Sequence, residues 1–125
     1  DLIAEGARVV IISSLWEQLT RQEKFSYSVT KAAVGGLVRS LAVDLGRAKG
    51  ILVNGILPGV VETPMARGLL TETQINSIQN QTPGNVLVQP TDVANSIYLL
   101  ACEENTAISG QSVLVDYGFS ISRVL

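Results

Sequence analysis

Residues 6–31 read GARVVIISSLWEQLTRQEKFSYSVTK, a β-branched run that ends in two serines and passes through a polar loop into a helical pattern. Val9-Val10-Ile11-Ile12 is apolar at consecutive positions, whereas a strand with one face in water alternates. Continuous apolarity marks a parallel strand covered on both faces. In open parallel sheets ligands bind beyond the carboxyl ends of the strands, so Ser13 and Ser14 stand at a site position. In the following helix Tyr27 and Lys31 lie four residues apart, on one face and near enough to interact. A free phenol, with a pKa of about 10, is ionised to roughly one part in a thousand at neutral pH. A neighbouring ammonium favours the ionised form, as a proton-transferring phenol requires.

The same pattern returns at residues 50–64, GILVNGILPGVVETP, an apolar strand followed by a Pro-Gly turn. Two strand ends then converge on one crevice. The punctuation predicts a strand at Arg8 to Ile12 and a long helix from about Phe25 to Ala48, stopped by Lys49-Gly50. A second strand is expected at Ile51 to Leu57. From Pro64 to Val88 the periodicity is partial, around Leu69, Leu70, Ile75 and Ile78, and the segment is expected to be a mobile lid. Thr91 is the expected N-cap of a further helix, with Asp92 in its first turn and Val93, Ile97, Leu100 and Ala101 at helical spacing. A third strand, Ser112 to Val115, follows. There is no internal repeat, low-complexity tract or second domain.

The long helix is apolar on two sides. Val34, Leu37, Val38, Leu41, Ala42 and Leu45 form a stripe that would cover a sheet. Phe25, Val29, Ala32, Ala33, Gly36 and Val43 form another, which calls for a further packing partner. Gly35 and Gly36 each cost about 1 kcal/mol against Ala inside a helix, a cost expected to be offset by close approach of another backbone.

Composition narrows the chemistry. The 125 residues are 46% hydrophobic and 16% charged, with a formal net charge of −2. Mild acidity argues against a nucleic-acid partner, which needs a basic face. The apolar runs fall short of the ~20 residues that cross a bilayer, and no signal peptide is evident, so a cytoplasmic protein with no membrane partner is expected. The chain has no histidine, which removes the Ser-His-Asp triad, imidazole metal sites and imidazole relays, and no metal site is expected. Tyr27 is left as the leading acid/base. Cys102 is the only cysteine and is expected to be a packed thiol. Asn80-Gln81-Thr82 matches a glycosylation acceptor by chance.

Ser14, then Tyr27-Ser28-Val29-Thr30-Lys31-Ala32-Ala33, then Val53-Asn54-Gly55-Ile56-Leu57-Pro58-Gly59 and Thr63 resemble, in order and spacing, the short-chain dehydrogenase/reductase family. Gln89-Pro90-Thr91-Asp92-Val93-Ala94 and Ile108 to Asp116 continue the resemblance into that family's last helix and strand. It covers nearly the whole chain, but only the C-terminal half of a usual member. The implied fold is α/β, the C-terminal part of a doubly wound parallel-sheet Rossmann fold with about three parallel strands and helices. The implied activity is reversible hydride transfer between NAD or NADP and a carbonyl or secondary alcohol.

On this resemblance Tyr27 exchanges the proton, Lys31 lowers the phenol's pKa and holds the nicotinamide ribose, and Ser14 holds the substrate oxygen. Pro58 and Gly59 let the backbone approach the nicotinamide, and Val61 and Thr63 hold its carboxamide. Asn54 is a structural bond-maker between strand ends, and Asp116-Tyr117-Gly118 departs from the commoner Asp-Gly-Gly ending. Glu62 and Arg67 are expected to be solvated. The long helix implies a homodimer or homotetramer.

The family's upstream features are missing: no G-x-x-x-G-x-G turn, no acidic or basic cofactor selector, no Asn-Asn-Ala-Gly strand end, and no locatable catalytic Asn. Asp1-Leu2-Ile3-Ala4-Glu5 reads as the last turn of a helix. Residues 1–125 are therefore expected to be the C-terminal half of one domain, unable by themselves to bind cofactor or to persist as an active monomer. A non-catalytic truncated fragment serving as an oligomerisation or interaction module is the alternative, and an epimerase or dehalogenase relative is a third reading. Substrate identity and the choice between NAD and NADP are not legible.

Overall fold

The computed structural model describes residues 2–122. Its elements are β1 (Arg8–Ile12), a single 3-10 turn (Leu15–Glu17), α1 (Phe25–Lys49), β2 (Leu52–Pro58), α2 (Pro64–Leu69), α3 (Glu72–Gln81), α4 (Pro90–Ala101) and β3 (Ser112–Val115). The three strands are parallel in the order β1-β2-β3, with Ile11 opposite Gly55 and Gly55 opposite Ser112. β2 is the central strand, and Val53, Ile56 and Leu57 on it are fully buried. Its continuous apolar run is thus explained by cover on both sides. Among the described residues nothing pairs with the other side of β1, which is an edge, and Ile12 at its end is exposed.

α1 packs on the sheet through Val38, which is fully buried. The fit is close: a Cβ on Gly55 would stand 3.4 Å from Val38 Cγ2 and 3.2 Å from Ser112 Oγ. Gly50 stops the helix in the left-handed conformation (φ 64°), its N–H bonded to Gly46 O, with Arg47 and Lys49 suiting the negative end of the helix dipole. α4 packs across all three strands.

Several expectations need correction. Leu37 does not belong to the sheet-covering stripe, being 48% exposed; the covering face is Val34, Val38, Leu41, Ala42 and Leu45. The second stripe is open, with Phe25 82% and Val43 65% exposed. The space at Gly35 is filled by the chain's own Glu17 side chain rather than by another backbone, whereas Gly36 faces open space. Residues 2–7 form a turn, with Ala7 N–H on Ala4 O and Gly6 at φ 68°, and Gly6 N–H reaches Lys49 O at 2.9 Å. Residues 2–5 carry no helix where a helical turn was expected, and the chain turns at Gly6; residue 1 lies outside the described residues.

The segment from Pro64 to Val88 holds two helices. Thr63 Oγ1 accepts from Ala66 N (3.1 Å) with Pro64 opening α2, and a reciprocal capping box between Thr71 and Gln74 opens α3. α3 is almost wholly polar, so caps define it where periodicity cannot. α4 starts earlier than Thr91 implies: Gln89 is the N-cap and Pro90 the first helical residue. Pro90 has its φ already set for a helix, and Asp92 Oδ2 reaches back to accept from Gln89 N at 2.8 Å. Cys102 is half-buried at the end of α4, its Sγ 3.4 Å from Leu99 O.

Candidate active site

The parallel pairing of β1 with β2 puts Ser13-Ser14 and Pro58-Gly59 at the same edge of the sheet, one to three residues beyond the matched pair Ile12 and Ile56. Ser13 N–H continues the ladder to Ile56 O at 2.8 Å. Ser14 is buried, extended (φ −163°, ψ 157°), and caps the 3-10 turn, its Oγ accepting from Trp16 N at 3.4 Å. A hydroxyl that accepts from a backbone N–H keeps its own O–H to donate. Successive strand residues point to opposite faces, so Ser13 and Ser14 cannot share a role. Ser13 Oγ is buried with no hydrogen-bond partner.

The 3-10 turn packs against α1, bringing Ser14 beside the helix that carries Tyr27 and Lys31. Thr20 Oγ1 and Ser28 Oγ, 3.0 Å apart, tie the intervening loop to the same helix. Tyr27 is 43% exposed in its first turn. Lys31 Nζ stands 5.6 Å from the centre of the Tyr27 ring. A second cation, absent from the sequence reading, joins it: Lys24 Nζ lies 5.7 Å from the same centre. The signal was available, because positions 24, 27 and 31 are spaced i, i+3, i+7 on one face. Neither ammonium has a carboxylate partner among the described residues. Arg21 covers Trp16 at 5.7 Å.

The β2 end is shaped first by its own packing. Gly59 N–H bonds Val115 O at 3.0 Å, and a Cβ at Gly59 would stand 3.0 Å from Asp116 Cβ, so the residue after β3 leaves little room for a side chain there. Val61 forms a parallel bridge with Val88, and Glu62 N–H bonds Val88 O at 2.7 Å. Thr63 uses one hydroxyl lone pair to cap α2. Glu62 and Arg67 are not merely solvated; they form an ion pair, and Gln89 Nε2 donates to Glu62 Oε2 at 2.8 Å. The Gln89 bond, then the bond and charge of Arg67, hold the Glu62 carboxyl below its ordinary pKa.

Asn54 is 1% exposed and acts as the expected structural link, donating to Ile108 O at 2.7 Å and accepting from Gln111 N at 3.1 Å. Buried Asn105, which the sequence did not single out, ties the same loop to Leu100 O and Ile108. Asp116 closes the end of β3 by accepting from Gly118 N and Ser120 N, both at 2.9 Å. Tyr117 adopts a left-handed φ of 51° and donates its hydroxyl to Asp92 Oδ2 at 3.0 Å. That bond, with desolvation and the Asp92 charge behind it, raises the Tyr117 pKa above the ordinary tyrosine value. Among the described residues no cluster of His, Cys, Asp and Glu could hold a metal, and no helix is long and apolar enough to cross a membrane.

A parallel sheet whose carboxyl edge carries a turn-capping serine, a Pro-Gly turn and a helix-borne Tyr-x-x-x-Lys pair defines a Rossmann-type α/β unit. A family model described as enoyl-(acyl carrier protein) reductase matches residues 1–120, and the chain belongs to the short-chain dehydrogenase/reductase family. It is 38% identical over 116 residues to the (2S)-[(R)-hydroxy(phenyl)methyl]succinyl-CoA dehydrogenase subunit BbsD of Thauera aromatica, covering 93% of this chain and 45% of that one. The structure of a gluconate 5-dehydrogenase from Burkholderia cenocepacia J2315 in complex with NADP and tartrate matches with a TM-score of 0.86 at 27% identity, over 94% of this chain and 47% of that chain. A 7 alpha-hydroxysteroid dehydrogenase complexed with NADH and 7-oxo glycochenodeoxycholic acid matches with a TM-score of 0.82 at 34% identity, over 89% and 43%. The chain spans about half the length of the curated relatives it matches.

Proposed function

We propose that this chain carries the proton-transfer half of an oxidoreductase that interconverts a carbonyl and a secondary alcohol with NAD or NADP. The observation that supports it is the Lys31 ammonium 5.6 Å from the ring of a half-exposed Tyr27, on a helix packed against the turn that Ser14 caps. The residues present fit the nicotinamide end of such a cofactor. Lys31 is a multiple donor without a carboxylate partner among the described residues, and Pro58, Gly59, Val61 and Thr63 line the adjoining strand end. Bound nicotinamide supplies or receives the hydride.

Tyr27 gives its proton to the substrate oxygen in reduction and takes it back in oxidation. Lys31 stabilises the negative charge left on the phenol oxygen and holds the cofactor ribose. Ser14 donates its free O–H to the substrate oxygen as charge develops there. The 125 residues contain no G-x-x-x-G-x-G turn, and we assign pyrophosphate binding to a preceding half of the same domain. The open stripe Phe25, Val29 and Val43 on α1 is assigned to a second copy of the chain, giving a homodimer or homotetramer in the cytoplasm.

Both families of cofactor occur among the matched structures, one holding NADP and another NADH. The test is an assay of the complete protein against a panel of ketones and secondary alcohols with each nicotinamide, followed by cofactor absorbance. Turnover of at least one compound class is expected. Cofactor binding with no turnover of any compound would favour the non-catalytic interaction module instead.

A further inference from the structure

Glu17 occupies a notch in α1. A Cβ placed on Gly35 would stand 2.7 Å from Glu17 Cδ, closer than real Cβ atoms approach such neighbours, nearer still to Oε1 and 3.1 Å from Cγ, so the space of the missing side chain at 35 is filled by the carboxyl end of Glu17. Gly35 is buried, and it lies four residues beyond Lys31 on the same face of the helix. At the other end of the contact, Glu17 N–H bonds Ser14 O at 2.9 Å, closing the turn that Ser14 caps. The turn is therefore keyed into α1 one helical turn from Lys31. Glu17 Oε2 is buried with no hydrogen-bond partner, so hydrogen bonding does not account for a carboxylate there. Shape does.

We propose that Glu17 is a positioning residue: its side chain, wedged into the Gly35 notch, sets the distance between Ser14 and the Tyr27–Lys31 pair. This rests on the function proposed above. Turnover in such a site depends on holding the oxygen-binding hydroxyl and the proton donor at a fixed separation, and a shift of about 1 Å can cost as much as a hundredfold. The wedge works through the shape of its planar end group, so the isosteric Gln serves as well as Glu and Ala does not. Adding a methyl at Gly35 expels the wedge and moves the turn.

The experiment measures kcat and KM of the complete protein for Glu17→Ala, Glu17→Gln, Gly35→Ala and the Glu17→Ala/Gly35→Ala double variant, with Glu17→Ala repeated in a Ser14→Ala background. Glu17→Ala and Gly35→Ala should each lower kcat by about tenfold with the nicotinamide KM within about twofold. Glu17→Gln should stay near the parent. The double variant should be no worse than either single one, because with the wedge removed the new methyl fills its own notch. In the Ser14→Ala background Glu17→Ala should cost no further turnover, since Ser14 is what it positions. Losses that multiply between Ser14→Ala and Glu17→Ala, or parent-level kcat in Glu17→Ala, overturn the proposal. If Gly35→Ala does not fold, the Glu17 and Ser14 variants decide it alone. Parent-level turnover in Tyr27→Phe is a different failure, that of the proton chemistry itself.

Discussion

Residues 8–31 and residues 89–122 sit at the same sheet and are finished differently. In the second region the polar groups named above are bonded within the chain: buried Asn105 spans Leu100 and Ile108, buried Asp116 holds Gly118 and Ser120, and the more open Asp92 serves both Gln89 N and the Tyr117 hydroxyl. In the first, Ser13 Oγ and Glu17 Oε2 are buried without partners, Lys24 and Lys31 face a phenol rather than a carboxylate, and Phe25 lies open. The closed region is a scaffold whose bonds are complete. Unsatisfied groups concentrate where the chemistry is proposed, as expected of a site that trades local stability for function.

Disturbing the closed region should therefore cost stability, and disturbing the open one should cost turnover. The largest stability effect is expected at Asn54, the β2 residue whose side chain ties the closed region to the sheet through Ile108 and Gln111. Asn54→Leu would leave Ile108 O and Gln111 N without partners in a buried setting, for a loss of about 2–4 kcal/mol. Urea unfolding of the complete protein would read it as a lower midpoint at constant slope; an unchanged midpoint would break the comparison. Asp92→Ala removes the bond to Gln89 N and the Tyr117 anchor together, and about 1 kcal/mol should follow. Its kcat should be unaffected at temperatures where it stays folded.

The smallest effect is one of pH. The Tyr117 pKa is raised in the folded state, so the stability linked to its proton is fully present below the unfolded tyrosine value of about 10 and is lost as pH rises through the higher folded value. Tyr117→Phe should lack that alkaline loss. Thermal unfolding of both forms from neutral pH upward would show the curves diverging only above the unfolded value; parallel curves would mean that the Asp92 bond does not persist in solution.

Strands and the long helix were legible because period and punctuation agree there: a continuous β-branched run, a Pro-Gly end, and a Gly50 stop. Residues 64–88 were not, because α3 carries only Ile75 and Ile78 as apolar residues and its start is set by a Thr71–Gln74 box rather than by periodicity. The N-terminus of α4 was misplaced for a related reason, since Thr91 looks like a cap while Pro90 and Asp92 make Gln89 the actual one. Of the candidate site, Ser14, Tyr27 and Lys31 come from the family resemblance, because a Tyr-x-x-x-Lys spacing by itself is a weak signal and two adjacent serines end the strand. Gly35 was read as room for another backbone, because nothing in the sequence shows that a side chain eighteen residues earlier fills it. Thr63 and Gly59 likewise carry packing duties in the structure that a motif does not reveal.

The central claim is that Tyr27 moves the proton while neighbouring groups hold the cofactor. Tyr27→Phe removes one oxygen and little contact area, so in the complete protein it should abolish turnover while nicotinamide affinity, followed by fluorescence titration, stays within about threefold of the parent. Turnover at the parent rate with the same affinity would contradict the account.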